Sequence, residues 1–417
     1  MTQSNDADSV VTTAVGQEML RRPSRARLSG APALVLLASL IVSLLAGSSA
    51  PTPMYALYQQ RWGFSPITIT VVFGVYALSV LAALLTLGKL SDHLGRRPIL
   101  LVALLIQMVT MVVFVDAGGV STLITARVLQ GLSTGAALGA IGAAMVDVEA
   151  RRGTLANALS PGSGTALGAL LSGLAVRYLP SPTHLIYLVL LAVFALQAAG
   201  VAALPETVSR KPGALASLKP EITMPRAARA AILTAMPVIF AVWALAGLYG
   251  ALGPSLVSSL TGSHSVILGG LSLFVLAGVA VIAVFVLRTT APRTVMLIGI
   301  GALIVGIIIT VVSLSPRSTA GFFIGTAISG VGFGSGFQGG IRTVLPLARA
   351  HERSGVLSLL YVVSYLGLGL PAVIAGFLIV YGGGLITTAR EYGITLVILA
   401  ALALIGLVRS EDGHAKA

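Results

Sequence analysis

Uncharged, strongly apolar runs of about 20 residues, the length a bilayer demands, return along the whole chain with only short polar connectors between them. As helices rising 1.5 Å per residue, such runs span a hydrocarbon core roughly 30 Å thick. Twelve can be placed, near 32–57, 66–89, 98–116, 120–146, 154–178, 183–204, 229–255, 264–287, 294–314, 318–345, 356–380 and 392–408. The composition agrees, with 56% hydrophobic and 9% charged residues against about 45–50% and about 25% in ordinary soluble domains. A compact soluble enzyme is thereby excluded, and the lipid bilayer is the first partner the sequence names.

Charge sets the topology. Of 26 Lys and Arg, four (Arg61, Arg177, Arg317, Arg390) fall on one side of the alternating spans, Arg127 falls within a span, and the other 21 fall on the side of the N-terminus. The positive-inside rule then expects both termini in the cytoplasm and a multi-pass protein of the cell membrane. The net charge of +13 is therefore a topology signal, and no nucleic-acid partner is expected. The cluster Arg21, Arg22, Arg25 and Arg27 ahead of the first span is expected to hold the N-terminus inside rather than to mark a cleaved leader. Cysteine is absent, which rules out disulfides and thiolate metal or redox chemistry.

The longest polar interruption, 205–228, divides the spans six and six, and the second half repeats the first at an offset near 200 residues. The glycine-rich stretch Gly131–Ala140 of the fourth span lies against Gly330–Gly339 of the tenth, and the loop at 88–98 falls near 288–293. The expected fold is an all-α membrane protein with twelve transmembrane helices in two pseudo-symmetric six-helix bundles. Its parts are a tail at 1–31, a bundle at 32–204, a linker at 205–228, a bundle at 229–408 and a tail at 409–417. Chains built from such repeated halves place a substrate site at their interface, near the midplane. One chain contains both halves, so a monomer is expected.

Between the second and third spans stands Gly88-Lys-Leu-Ser-Asp92-His-Leu-Gly95-Arg96-Arg97-Pro98. In spacing and position it resembles the G-x-L-s-D-r-x-G-r-r signature of the major facilitator superfamily. Read as chemistry, Gly88 permits a close helix approach, Gly95 a tight turn, and Asp92 offers an anion to a neighbouring helix N-terminus. The resemblance implies that this helix is the eleventh, starting near Gly355, and that Arg96 pairs with an acid at the end of the fourth span, where Asp147 and Glu149 stand. Gly88, Asp92, Gly95, Arg96, Arg97 and Asp147 are thus the expected conformational latch. The corresponding loop of the second half, Arg288-Thr-Thr-Ala-Pro-Arg293, carries neither the Asp nor the glycines.

The fourth span contains Arg127-Val-Leu-Gln130-Gly131, which resembles the R-x-x-q-G pattern of proton-coupled efflux members of that superfamily. Arg127, Gln130 and Thr134 share a helix face, with Gly131, Gly135, Gly139 and Gly142 in a stripe beside it. An ionisable group inside a span is costly and by default functional. No carboxylate lies deep in any span, so the candidate coupling pair is Asp116, at the end of the third span, with Arg127. The small-residue stripe Gly164, Gly168, Ser172 in the fifth span suits close packing. Candidate pocket residues are Tyr55, Trp243, Tyr249, Phe333, Gln338, Tyr361 and Tyr365, a mostly apolar set suited to amphipathic ligands.

No G-x-x-x-x-G-K-[ST] phosphate loop is present, so ATP is not the expected fuel. No metal-ligand cluster, cofactor motif or nucleophile with a nearby base is found, and neither an enzyme nor a channel is expected. Two transport readings compete. The first is proton-coupled efflux of small amphipathic compounds by alternating access, with protons as the coupling ion. The second is uptake or exchange of a small organic anion held by Arg127.

Overall fold

The computed structural model describes residues 28–263, 265–315, 317–349 and 351–414, the last six through their backbone alone. The expected N-terminal tail with its arginine cluster and the end of the C-terminal tail lie outside the described residues. Among the described residues, twelve helices are long and apolar enough to cross a membrane. They are α1 (Ala31–Trp62), α2 (Pro66–Leu87), α3 (Arg96–Val115), α4 (Val120–Val148), α5 (Ala150–Tyr178) and α6 (Pro182–Ala202) in the first half. The second half holds α7 (Arg229–Thr261), α8 (Val266–Val286), α9 (Pro292–Ser313), α10 (Thr319–Val344), α11 (Arg353–Tyr381) and α12 (Gly384–His414). The number of helices is even, so the start of α1, the end of α12 and the linker share one face, called here the terminal face.

Several helices overrun the apolar runs that signal them. The first continues past 57 to Trp62, where Gly63 at φ 66° ends it. Pro51 and Pro53 stand in the first turn of its second piece, where the missing N–H would have had no partner, so they redirect the helix without stopping it. Likewise α12 begins at Gly384 rather than near 392, because Thr388 and Ala389 pack into the bundle, buried ahead of the apolar run. A single residue, Glu149, separates α4 from α5.

Each half has its own core. Leu37, Ile41, Met54, Leu104, Met111, Phe114, Ile141 and Phe194 belong to the first, and Ile239, Leu252, Met296, Leu303, Phe322 and Leu360 to the second. Large apolar side chains also face outward along the helices, among them Leu196 at 75% exposure, Val35, Leu105, Val312 and Leu402. On a soluble protein such a surface would aggregate; on a bundle wrapped in acyl chains it is the solvated face.

The halves meet along two long helix pairs, α2 with α11 and α5 with α8. Small residues sit at both crossings. A side chain at Gly74 would come within 2.7 Å of Val373, and one at Gly173 within 3.2 Å of the Val266 carbonyl. Without a hydrophobic driving force between helices in lipid, such backbone proximity supplies the dispersion contacts that hold the bundles together. The α4 glycines play the same part within the first half, with Gly131 lying on Ser79, Gly135 on Ala83 and Gly139 on Gly88. On α5, Gly164 and Gly168 lie against Val42 and Ala46 of α1, and the Ser172 hydroxyl donates to the Ala50 carbonyl.

Candidate functional site

At the terminal face, a five-residue helical turn, Leu90–Leu94, follows α2 and ends at Gly95, whose φ is +102°. Only glycine adopts this conformation without strain, and it aims the Arg96 and Arg97 N–H groups at the Glu206 carboxylate. Arg96 N donates to Glu206 Oε1 at 2.8 Å and Arg97 N to Oε2 at 3.1 Å. A Cβ on Gly95 would stand 2.6 Å from Oε2. Glu206 therefore closes the otherwise unpaired N-terminus of α3, as an anion at the positive end of the helix dipole. In sequence, Pro205-Glu206-Thr207 signals no such role.

Arg96 also bonds to Asp92 and reaches Asp147 at 3.4 Å through Nε. The Thr207 hydroxyl donates to that same Asp147 at 2.9 Å. Asp92, Arg96, Asp147 and Glu206 thus join the loop, the end of α4 and the end of α6 into one charged network. The expected partner of Asp92 is different: its carboxylate takes Arg96 rather than the start of α11. The linker occupies that place. Thr223 N donates to the Gly355 carbonyl at 3.2 Å, Lys89 pairs with Glu221, and the His93 ring meets the Pro212 carbonyl at 3.1 Å. The bridge between halves at this face therefore runs through linker residues 211–223.

Deep in the first half, Arg127 is 1% exposed. Its Nε donates to the Tyr55 hydroxyl at 3.1 Å, and Nη1 to the Ser48 carbonyl at 2.8 Å and to Gln130 Oε1 at 2.7 Å. Gln130 passes the chain on through Nε2 to the Gly47 carbonyl at 3.0 Å. The Tyr55, Tyr76 and Phe114 rings lie 5.6, 5.3 and 5.9 Å from the guanidinium, so aromatic faces supply part of the stabilisation that water would give outside the membrane. Thr134 is fully buried on the same helix. Asp116 does not complete the expected pair. It terminates α3 as an exposed residue and forms no ion pair with Arg127, because α3 ends there while Arg127, about two turns into α4, points inward among α1, α2 and α3.

A second cluster joins the halves. Tyr76, Val80 and Leu81 of α2 pack with Tyr365 and Leu368 of α11, with Phe73, Trp243 and Tyr361 against them. Around Trp243 stand Tyr365 at 5.2 Å, Phe337 at 5.3 Å and Phe333 at 6.1 Å between ring centres. The indole N–H of Trp243 and the side-chain carbonyl of Gln338, next along α10 from Phe337, are both buried without a hydrogen-bond partner. Each leaves a donor or acceptor that a bound molecule can satisfy, since orphaned buried polar groups otherwise cost free energy. Of the candidate pocket residues, Trp243, Phe333, Tyr361 and Tyr365 come together here. Tyr55 belongs instead to the Arg127 cage. Tyr249 lies in the second bundle's core, its hydroxyl 2.8 Å from Thr326 Oγ1, beside a cavity of about 20 Å³ that is water-sized. Tyr76 and Phe337 were missed; Tyr76 is the shared wall, touching Arg127 with its ring and Tyr365 through its cluster.

The sequence profile of the Major Facilitator Superfamily matches residues 35–291. Among curated proteins, a segment is 32% identical over 103 residues to multidrug resistance protein D of Escherichia coli, covering 24% of this chain and 26% of that protein. Another is 36% identical over 74 residues to an uncharacterized transporter of Rickettsia bellii, covering 17% and 18%. The chain thus spans about a quarter or less of the length of these relatives. Solved structures match far more broadly at low identity. A bacterial homolog of the human lysosomal transporter Spinster superposes with TM-score 0.70 at 14% identity, covering 90% of this chain and 96% of that one. The nucleoside transporter NupG, in a mutant form, gives 0.67 at 13%, covering 90% and 98%. The human organic anion transporter MFSD10 gives 0.64 at 16%, covering 93% and 100%. With its profile spanning more than half of the sequence and its twelve-helix fold shared with these solved structures, the chain belongs to the Major Facilitator Superfamily.

Proposed function

We propose that the chain is a proton-coupled exporter of small amphipathic aromatic compounds, working by alternating access in the cell membrane with both termini in the cytoplasm. The observation that carries this reading is the aromatic cluster between the halves: three rings around Trp243, an unpartnered indole donor, and no charged group among the side chains that form it. Such a surface favours a flat aromatic ligand that stacks on the rings. The organic-anion reading loses support, because all three guanidinium nitrogens of Arg127 already donate to Tyr55, Ser48 or Gln130. The R-x-x-q-G resemblance and the similarity to a multidrug resistance protein over a quarter of the chain favour export driven by protons. Tyr76 supplies the physical link in this proposal: a ligand pressing on Tyr365 and Trp243 moves a ring that also faces Arg127.

Inverted membrane vesicles with an imposed pH gradient test the reading, with ethidium as the amphipathic probe. Ethidium is expected to release protons in vesicles with the native chain, to do so weakly with Trp243→Phe, and not at all with Trp243→Ala. Proton release that is unchanged in Trp243→Ala would refute the proposed site. Electroneutral exchange of an organic anion, abolished by Arg127→Lys, would establish the alternative.

A further inference from the structure

The two halves differ most in how they neutralise the loop after their second helix. In the first half, the basic loop meets Asp92, Asp147 and Glu206. In the second, the segment between α8 and α9 carries Arg288, and Arg342 reaches the same segment from the end of α10. Arg288 lies 4.0 Å over the Phe285 ring and donates through Nη1 to the Phe285 carbonyl at 2.6 Å. Arg342 donates through Nη2 to the Thr290 carbonyl at 2.7 Å and through Nη1 to that of Leu287 at 3.4 Å. Two guanidiniums are therefore held by carbonyl oxygens of residues 285–290. Among the described residues no carboxylate pairs with either. Each guanidinium has five N–H donors, and these bonds engage only some of them. Backbone carbonyls orient the two cations without cancelling their charge, so the corner is built to take an anion.

The surface beneath identifies which anion. On α8, within the membrane, Ile282, Phe285 and Val286 are exposed at 62, 44 and 61%. They lead along the helix to Arg288, itself exposed at the helix end. An apolar strip running up to two cations held on one segment at the membrane edge matches a phospholipid, with acyl chains below and phosphate above. We propose that Arg288 and Arg342 bind the phosphate of an anionic phospholipid from the leaflet on the terminal face, with its chains along Ile282, Phe285 and Val286. This site lies apart from the aromatic cluster and does not depend on which compound is carried. It anchors the second half to the lipid headgroups at the loop where the first half is held by its own acids.

Native mass spectrometry of the purified full chain, released from detergent with either phosphatidylglycerol or phosphatidylcholine of the same acyl composition, tests the assignment. The native chain is expected to retain phosphatidylglycerol in preference. Arg288→Ala, an exposed position whose loss leaves the helices intact, should weaken retention roughly fivefold, and Arg288→Ala with Arg342→Gln roughly 25-fold. Arg317→Ala, exposed on the opposite face, should change nothing. Equal retention of the two lipids, equal retention by Arg288→Ala and the native chain, or full displacement by millimolar inorganic phosphate would each overturn the assignment, the last by showing a site for free anions.

Discussion

Gly95 and Glu206 offer the sharpest test of the terminal-face network, because the geometry predicts that their effects do not add. Gly95→Ala forces a side chain into a backbone conformation at φ +102°, which costs about 1–3 kcal/mol. It also places a Cβ 2.6 Å from Glu206 Oε2, so the carboxylate must leave the N–H groups of Arg96 and Arg97. Losing a helix N-terminal cap costs about 0.5–2 kcal/mol. The single variant should therefore lose about 1.5–5 kcal/mol, and Glu206→Ala about 0.5–2 kcal/mol. In the double variant only the backbone strain remains to be added, since the carboxylate is already gone. A double-mutant cycle, read by reversible unfolding in mixed detergent and dodecyl sulfate micelles, should give a coupling of about 0.5–2 kcal/mol. Strict additivity, within about 0.3 kcal/mol, would show that Glu206 does not sit on Gly95 and would refute the account of the cap. The same cycle with Asp147→Ala in place of Gly95→Ala should couple less, because Asp147 meets Arg96 through its side chain rather than through Glu206.

Other expectations follow from single contacts. Arg127→Lys keeps the charge but cannot reach Tyr55, Ser48 and Gln130 together from one ammonium; losing one such bond should destabilise the chain by about 1.5–3 kcal/mol, read by the same unfolding assay. Tyr249→Phe removes one neutral hydrogen bond to Thr326 and should lower stability by about 0.5–1.5 kcal/mol while leaving ethidium-driven proton release intact, since the ring lies outside the aromatic cluster. Lys89→Glu sets two acids against each other at Glu221; the pair is exposed, so stability should fall by less than about 1 kcal/mol, while labelling of cysteines introduced at the terminal face should quicken as the linker lifts.

Much of the fold was legible because its determinants are local. Backbone polar groups in lipid must be satisfied within each helix, and bilayer thickness sets the length of the run, so the spans could be counted from hydropathy alone. Boundaries were less legible where polar residues continue a helix past its apolar run, as at Tyr58–Trp62 and Thr387–Glu391. The residues that meet at the terminal face could be named from the resemblance of their motif, yet the partner of Asp92 could not. The resemblance assigned Asp92 to the helix starting near Gly355, and only packing placed Arg96 on Asp92 and Thr223 of the linker against Gly355. Asp116 and Arg127 are close in sequence and face different surroundings, because a helix end and a helix interior point their side chains differently.

What the sequence determined by itself is the solvent of this protein: twelve lipid-spanning helices in two related halves, forced by the cost of an unpaired peptide group in hydrocarbon. What tertiary structure decided is which polar side chains meet. Arg127 and Tyr55, 72 residues apart, or Arg96 and Glu206, 110 apart, touch only because packing brings separate helices and their ends together. No periodicity along one helix encodes the neighbour across such a crossing, since the contact depends on the rotation and depth of both partners at once.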